Sequence, residues 1–194
     1  GYAAGISNTS GNQNTAVGTD AVRLNKTAIN NTGVGFRSLR AATAGYNTAV
    51  GSEAGAVITS GDNNTILGAG AGGAISTGAG NTAIGQGALG NNSSGIENIA
   101  LGYAAGNGSS GTGSRNIWVG RSAGVAHTTA SNNIVIGYQA GVAINSGRSN
   151  VVIGAEAGRG LAAGYRNVII GSKAGVNTTG NYNTIVGADV DLPV

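Results

Sequence analysis

The feature that most constrains this 194-residue chain is a pentapeptide, Asn-x-x-(Val/Leu/Ile)-Gly, that recurs eleven times at a nearly constant spacing. Successive copies begin 16, 17 or 18 residues apart, and a partial copy opens the chain. Such a period predicts a stack of one small unit instead of a globular domain with a single core. The Asn, taken as position zero of each unit, is at Asn14, Asn31, Asn47, Asn64, Asn81, Asn98, Asn116, Asn133, Asn150, Asn167 and Asn183.

Each unit reads as one short strand followed by tight turns. Position three is aliphatic and position four is Gly in all eleven copies, and Gly readily supplies the positive φ of a corner. No stretch offers ten uninterrupted helix formers, so we expect parallel stacking with neighbouring coils about 4.8 Å apart. The predicted fold is an all-β parallel β-solenoid of about eleven coils that spans residues 1–194 as one segment. Over residues 188–194 the repeat breaks down.

Side-chain alternation places positions one and three on one strand face and position two on the other. In a parallel stack, the Asn amides would also lie above one another and form a hydrogen-bonded ladder. We therefore interpret these Asn residues as structural. We expect the aliphatic column at position three to form the structural core, which gives Val17, Val34, Val50, Leu67, Ile84, Leu101, Val119, Ile136, Ile153, Ile170 and Val186.

The later strands are apolar on both faces. Position one is Thr in the first five copies and Ile or Val in the next five, and from Ile134 onward position two is also Val or Ile. A strand that is apolar on both faces is normally covered on both, whereas a thin solenoid has only one interior. The second face therefore predicts association with other copies of the same chain. A charged fraction of only 9% agrees with extensive contacts between chains.

The unit resembles the head repeats of trimeric autotransporter adhesins, and more closely the repeats of phage and bacterial tail-fibre proteins, as in residues 133–141, Asn-Ile-Val-Ile-Gly-Tyr-Gln-Ala-Gly. The resemblance covers essentially the whole chain. It implies a left-handed parallel β-roll, three chains around a common axis, and an extracellular fibre segment that presents a surface to a glycan or protein receptor. The segment would then be part of a longer fibre. The period is longer than is usual for adhesin heads, so the resemblance leaves the coil shape open.

A second resemblance points toward an enzyme. Residues 136–141 fit one hexapeptide of the left-handed β-helix acyltransferases, which build each coil from three such hexapeptides. This chain supplies one per coil, so the fit favours the left-handed solenoid more than acyl transfer.

The residues offer little catalytic chemistry. His127, the only histidine, lies in a predicted turn where we expect it to be exposed, and no acid lies between Glu97 and Glu156. No two acidic residues occupy the same repeat position in adjacent coils. The chain has no cysteine, and no Asp-rich loop suits calcium. We therefore expect no enzyme activity, metal or cofactor. Trp118 stands at position two after an 18-residue spacing, which predicts a local swelling or a plug.

Two columns of side chains could form contact surfaces. Tyr103, Arg121 and Tyr138 share position five in successive units; they either present ring faces to a sugar or cover a corner by stacking. The Thr column at position one invites an ice-binding interpretation, although we expect Thr to line the edge of the core. A carbohydrate-binding module and a carbohydrate-active or acyl-transfer enzyme are the remaining alternatives.

Two classes of partner are disfavoured by composition. The net charge of +3 is too dilute for a nucleic-acid surface. No apolar run approaches the length of a membrane span.

Overall fold

The computed structural model describes residues 1–108 and 111–191 and shows an all-β parallel solenoid with a repeat of about 17 residues. Residues 109, 110 and 192–194, including the end of the predicted exit segment 188–194, lie outside the described ranges. The described residues form no helix, and so include none able to cross a membrane.

Each motif forms a three-residue strand over positions one to three, and coil n is the unit that contains strand βn. The strands are β1 Thr15–Val17, β2 Thr32–Val34, β3 Thr48–Val50, β4 Thr65–Leu67, β5 Thr82–Ile84, β6 Ile99–Leu101, β7 Ile117–Val119, β8 Ile134–Ile136, β9 Val151–Ile153, β10 Val168–Ile170 and β11 Thr184–Val186. They make one 11-stranded parallel sheet in chain order. Residues at the same position pair throughout, as Ala49 does with Ile66, which confirms the predicted like-on-like stacking.

The interior is lined by position two, so the expected core assignment is wrong. Val135 and Ile169, both at position two, are fully buried, whereas Val17 and Leu67 at position three are 54% and 47% exposed. Side chains alternate along a strand, and position two shares its inward face with the buried Asn at position zero. The column that lies on the outer face instead comprises Val17, Val34, Val50, Leu67, Ile84, Leu101, Val119, Ile136, Ile153, Ile170 and Val186.

Large and small interior side chains compensate for one another, both within a coil and between neighbouring coils. Position eight is Leu39 in coil 2 but Gly72 in coil 4, where a Cβ on Gly72 would lie 2.8 Å from Ile66 Cδ1. Conversely, a Cβ on Gly33 would lie 2.6 Å from Val22 Cγ2. A large side chain at one position therefore requires a small one beside it, as close packing demands.

The corners of the coil are set by backbone position and not by residue type. The residue before each motif Asn, and the residue at position six, have a left-handed φ in all eleven coils, whether Gln13 (57°), Glu156 (58°) or Tyr182 (60°). L residues adopt this conformation at a cost of about 1 kcal/mol or more. The inter-coil hydrogen bonds beside these corners, such as Glu156 N to Tyr138 O at 2.8 Å, hold them in place.

Position four is restricted to Gly by two constraints at once. Its φ lies between 121° and 141° in every coil, a region that L side chains rarely adopt. In addition, a Cβ on Gly85 would lie 2.5 Å from the carbonyl oxygen of Gly102 in the next coil. Neighbouring coils therefore approach too closely at this corner for any side chain.

A pair of glycine substitutions compares a left-handed glycine that has room for a side chain with a position-four glycine that is both strained and crowded. Gly70→Ala changes a left-handed residue (φ 63°) whose Cβ would meet nothing within 4 Å, so we expect a loss of about 1 kcal/mol in unfolding free energy. Gly85→Ala adds a clash with backbone, and we expect a loss above about 3 kcal/mol. Denaturant unfolding followed by circular dichroism measures both. Equal losses would mean that close coil approach does not constrain position four.

Candidate functional site

The predicted Asn ladder is present, and its buried amides are saturated. Asn98 Nδ2 donates to Asn81 Oδ1 at 3.1 Å and to the carbonyl of Gly113 at 2.9 Å. Asn98 Oδ1 accepts from the backbone N and the Nδ2 of Asn116, both at 3.0 Å. Side-chain links of this kind join the column from coil 3 to coil 11. The ladder thus satisfies interior polar groups and leaves little capacity for a ligand.

The outer sheet face, defined as the strand residues at positions one and three, carries regular columns of exposed aliphatic side chains. It lacks cover from any described segment: Leu101 is 46% exposed and Val186 is 66% exposed. Both columns are in register because every strand pair aligns equal positions. The face changes along its length from Thr at position one in β1–β5 to Ile or Val in β6–β10. The expectation that Thr lines the core edge is therefore wrong, since Thr15, Thr48 and Thr65 are exposed.

The position-five column is assembled in part. Tyr103 and Tyr138 are about half-exposed, and the guanidinium carbon of Arg121 lies 5.6 Å from the ring centroid of Tyr103. Among the described residues, no comparable ring contact joins Arg121 to Tyr138. The structure therefore brings Tyr103 and Arg121 together as a stacked pair at the corner, and leaves Tyr138 as a separate exposed ring.

His127 is buried and not exposed, which overturns the expectation drawn from its turn-like sequence. Its ring stacks on Trp118, with 5.3 Å between centroids and 23° between planes, and both side chains are 0% exposed. A Cβ on Gly106 or Gly124 would collide with the Trp118 ring, and one on Gly111 would lie 2.7 Å from His127 Nε2. Trp118 is thus an interior plug, in agreement with the prediction from its position.

Some polar atoms of the Trp118–His127 plug lack hydrogen-bond partners. His127 Nδ1 donates to the carbonyl of Gly124 at 3.0 Å, whereas His127 Nε2 and Trp118 Nε1 have no hydrogen-bond partner among the described residues. Removal from water lowers the pKa of His127 below its ordinary 6.5, although the hydrogen bond to Gly124 opposes this shift. At neutral pH the imidazole is therefore uncharged and acts as part of the core.

Among the described residues, four of the seven acidic side chains form ion pairs with arginines, and these pairs are dispersed along the chain. Asp20 pairs with Arg23 and Arg37, Glu53 with Arg37, Glu97 with Arg115, and Glu156 with Arg159. The exposed pairs contribute at most about 1 kcal/mol each, whereas the Asp20 side chain is largely buried at 13% exposed. Over residues 1–108 and 111–191, no group of three or more His, Asp or Glu side chains could hold a metal ion.

The sequence analysis missed one cluster, formed by Arg148, Tyr165, Arg166 and Tyr182 and called the Arg–Tyr corner below. The Arg148 guanidinium carbon lies 4.8 Å from the centroid of the Tyr165 ring, and the Tyr165 and Tyr182 rings meet edge to face at 5.2 Å. Arg166 lies over Tyr182 at 5.6 Å and donates to its hydroxyl at 2.9 Å. Spacings of 17 and 16 residues, equal to the repeat, could have revealed this stacking.

Removing one Asn side chain from the ladder should lower the free energy of unfolding. Asn98→Ala leaves the Gly113 carbonyl and the Asn116 amide groups without their buried partner, for an expected loss of about 3 kcal/mol. Asn12→Ala, at an exposed turn position, is the matched control and should change stability by less than about 0.5 kcal/mol. Denaturant midpoints of the two variants test this difference. Similar midpoints would show that the ladder does not stabilise the coil.

The buried imidazole should make the rod less stable in acid. Because the folded-state pKa of His127 is lowered, its neutral form supports full stability above about pH 6.5. As pH falls from there toward the folded-state pKa, unfolding free energy should drop by up to about 1.4 kcal/mol per pH unit. Trp118, Gly108, Gly111 and Gly124, which surround the ring, carry no charge that would offset protonation.

His127→Phe is the matched variant, because Phe can stack on Trp118 without titrating. Chemical denaturation at several pH values between about 7 and 5 should give a shallower slope for the variant than for the wild-type chain. Parallel slopes would show that His127 protonation does not limit stability.

Comparison with protein-family models, curated proteins and solved structures gives no match for this chain.

Proposed function

We propose that this chain is a non-enzymatic, extracellular structural segment of a fibre, an adhesin or a tail-fibre shaft, that self-associates as a homotrimer and presents a receptor-binding surface. The observation that carries the proposal is the outer sheet face, an in-register apolar ribbon that the described part of the chain leaves uncovered. Parallel sheets are normally covered on both faces, and large exposed apolar patches mark interaction sites.

The size of the face suits association between chains. Eleven strands at about 4.8 Å make a ribbon about 50 Å long. Covering one half-exposed aliphatic side chain gains roughly 1 kcal/mol, so the eleven position-three residues offer on the order of 10 kcal/mol per chain. This gain is comparable to the cost of about 4–15 kcal/mol for immobilising a partner. The Ile and Val side chains at position one in β6–β10 add the surplus that stable association requires.

The number of chains, the left-handed turn and the extracellular location rest on the resemblance to adhesin heads and tail fibres. Same-position pairing in every strand gives each chain a repetitive face that can meet identical faces around a common axis. The low charged fraction of 9% also favours burial of much surface in contacts between chains. The corners that project away from the sheet would then provide the surface for a receptor glycan or protein.

Ice binding is a second candidate, because the Thr column lies on the outer face and in register. Thr15, Thr32 and Thr48 pair directly in neighbouring strands. This column covers only the first five strands, while the next five present Ile or Val. The apolar half is better explained by contact between chains.

Charging the outer face should prevent association. Ile134→Lys with Ile136→Lys introduces two ammonium groups on the outward positions of β8, and leaves the interior Val135 in place. We expect the wild-type chain to sediment as a trimer at micromolar concentration, and the variant as a folded monomer, because buried unpaired charges are strongly unfavourable. Analytical ultracentrifugation with circular dichroism measures both properties.

Ser60→Lys with Ser146→Lys, at exposed sites outside the strands, is the control for added charge and should remain trimeric. A stable wild-type monomer would overturn the self-association proposal. If that monomer also showed thermal hysteresis, the Thr column would be supported as an ice-binding face instead.

A further inference from the structure

The Arg–Tyr corner is held in register by the backbone of the last three coils. Arg148 and Tyr165 form a parallel bridge. The Arg166 backbone N donates to the Arg148 carbonyl, and the Tyr182 backbone N to the Tyr165 carbonyl, both at 3.1 Å. The four side chains therefore project from a hydrogen-bonded ladder and not from a free loop. This arrangement reduces the ordering cost of binding a ligand at the corner.

Its two guanidinium groups differ from most other arginines of the chain in having no acidic partner. Arg23, Arg37, Arg115 and Arg159 each pair with a carboxylate, whereas Arg148 and Arg166 form no ion pair with any described residue. Both are exposed, and stacking on a tyrosine ring occupies only the face of each guanidinium. Their N–H edges remain available, apart from the one that Arg166 donates to Tyr182.

The rings supply the complementary apolar element. Tyr182 is 63% exposed and Tyr165 is half-buried against it, so one ring is fixed and its neighbour offers a free surface. An aromatic face is suited to the C–H face of a sugar ring, and a guanidinium edge to a carboxylate or sulfate through paired hydrogen bonds. The two kinds of group alternate at the spacing of neighbouring coils, about 5 Å.

We propose that the Arg–Tyr corner is a binding site for an acidic saccharide, with Tyr182 stacking on a sugar ring and Arg148 and Arg166 binding its carboxylate or sulfate groups. Two unpaired arginines are too few for a nucleic-acid backbone, for which about 6–10 phosphate contacts are usual. The corner lies outside the outer sheet face, so this inference does not depend on self-association.

Titration calorimetry with three anionic probes tests the site: a heparin-derived octasaccharide, a hyaluronan octasaccharide, and a polyglutamate peptide with the same number of carboxylates as the hyaluronan probe. We expect at least one saccharide to bind, and Arg148→Gln with Arg166→Gln to weaken it about tenfold or more. Tyr182→Ala should weaken saccharide binding by a few fold. The two saccharides distinguish sulfate recognition from recognition of carboxylate alone.

Lys26→Gln with Arg40→Gln is the matched control, because it removes the same charge from exposed basic residues elsewhere on the chain that stack on no ring of a described residue. Saccharide affinity should be unchanged in this control, and all variants should sediment like the wild-type chain. Equal loss in both double variants would reduce the effect to net charge and overturn the site. Polyglutamate binding as tight as saccharide binding and insensitive to Tyr182→Ala would also overturn it, as would the absence of binding to either saccharide.

Discussion

Backbone hydrogen bonding between identical positions of successive coils is the constraint on which the rest of this structure depends. Pairing equal positions forces every column of side chains to repeat at the strand spacing of about 4.8 Å. At that distance no Cβ fits at position four, where Gly85 faces the carbonyl of Gly102, and an Asn at position zero reaches the Asn of the next coil. The recurring pentapeptide is therefore the chemical consequence of a fixed backbone separation.

Much of the architecture can be predicted from the sequence because the period itself specifies parallel, in-register stacking. The predicted interior face is wrong because a strictly aliphatic column does not have to be the core. The buried Asn is the better indicator of the interior face, because alternation places position two on the same face as the Asn at position zero. The prediction for His127 fails for a related reason. Position eleven, which also holds Ile58 and Ile144, points inward, but among the described residues its mixture of Asn, Ala, Ile, Leu, Thr and His shows no simple pattern.

Candidate sites are harder to predict than the fold, because they depend on which columns lie next to one another in space. The Tyr103–Arg121 pair can be anticipated from one shared position, and its stacking is present. The Arg–Tyr corner uses two adjacent positions, since Arg148 and Tyr165 precede the motif Asn by two residues whereas Arg166 and Tyr182 precede it by one. Comparing residues at one repeat position at a time therefore misses this cluster. Comparing the two adjacent positions together predicts the contacts.

The left-handed corners determine where such a rod can change. Because the stack imposes the same φ at these sites on Gln13, Glu156 and Tyr182 alike, residues other than glycine carry a similar conformational cost there. Replacing one exposed corner residue by another of different size or charge leaves the neighbouring coils in register. Chemical variety can thus accumulate along the edges of the solenoid while its strands and ladder remain uniform, which separates the evolution of recognition from the evolution of the scaffold.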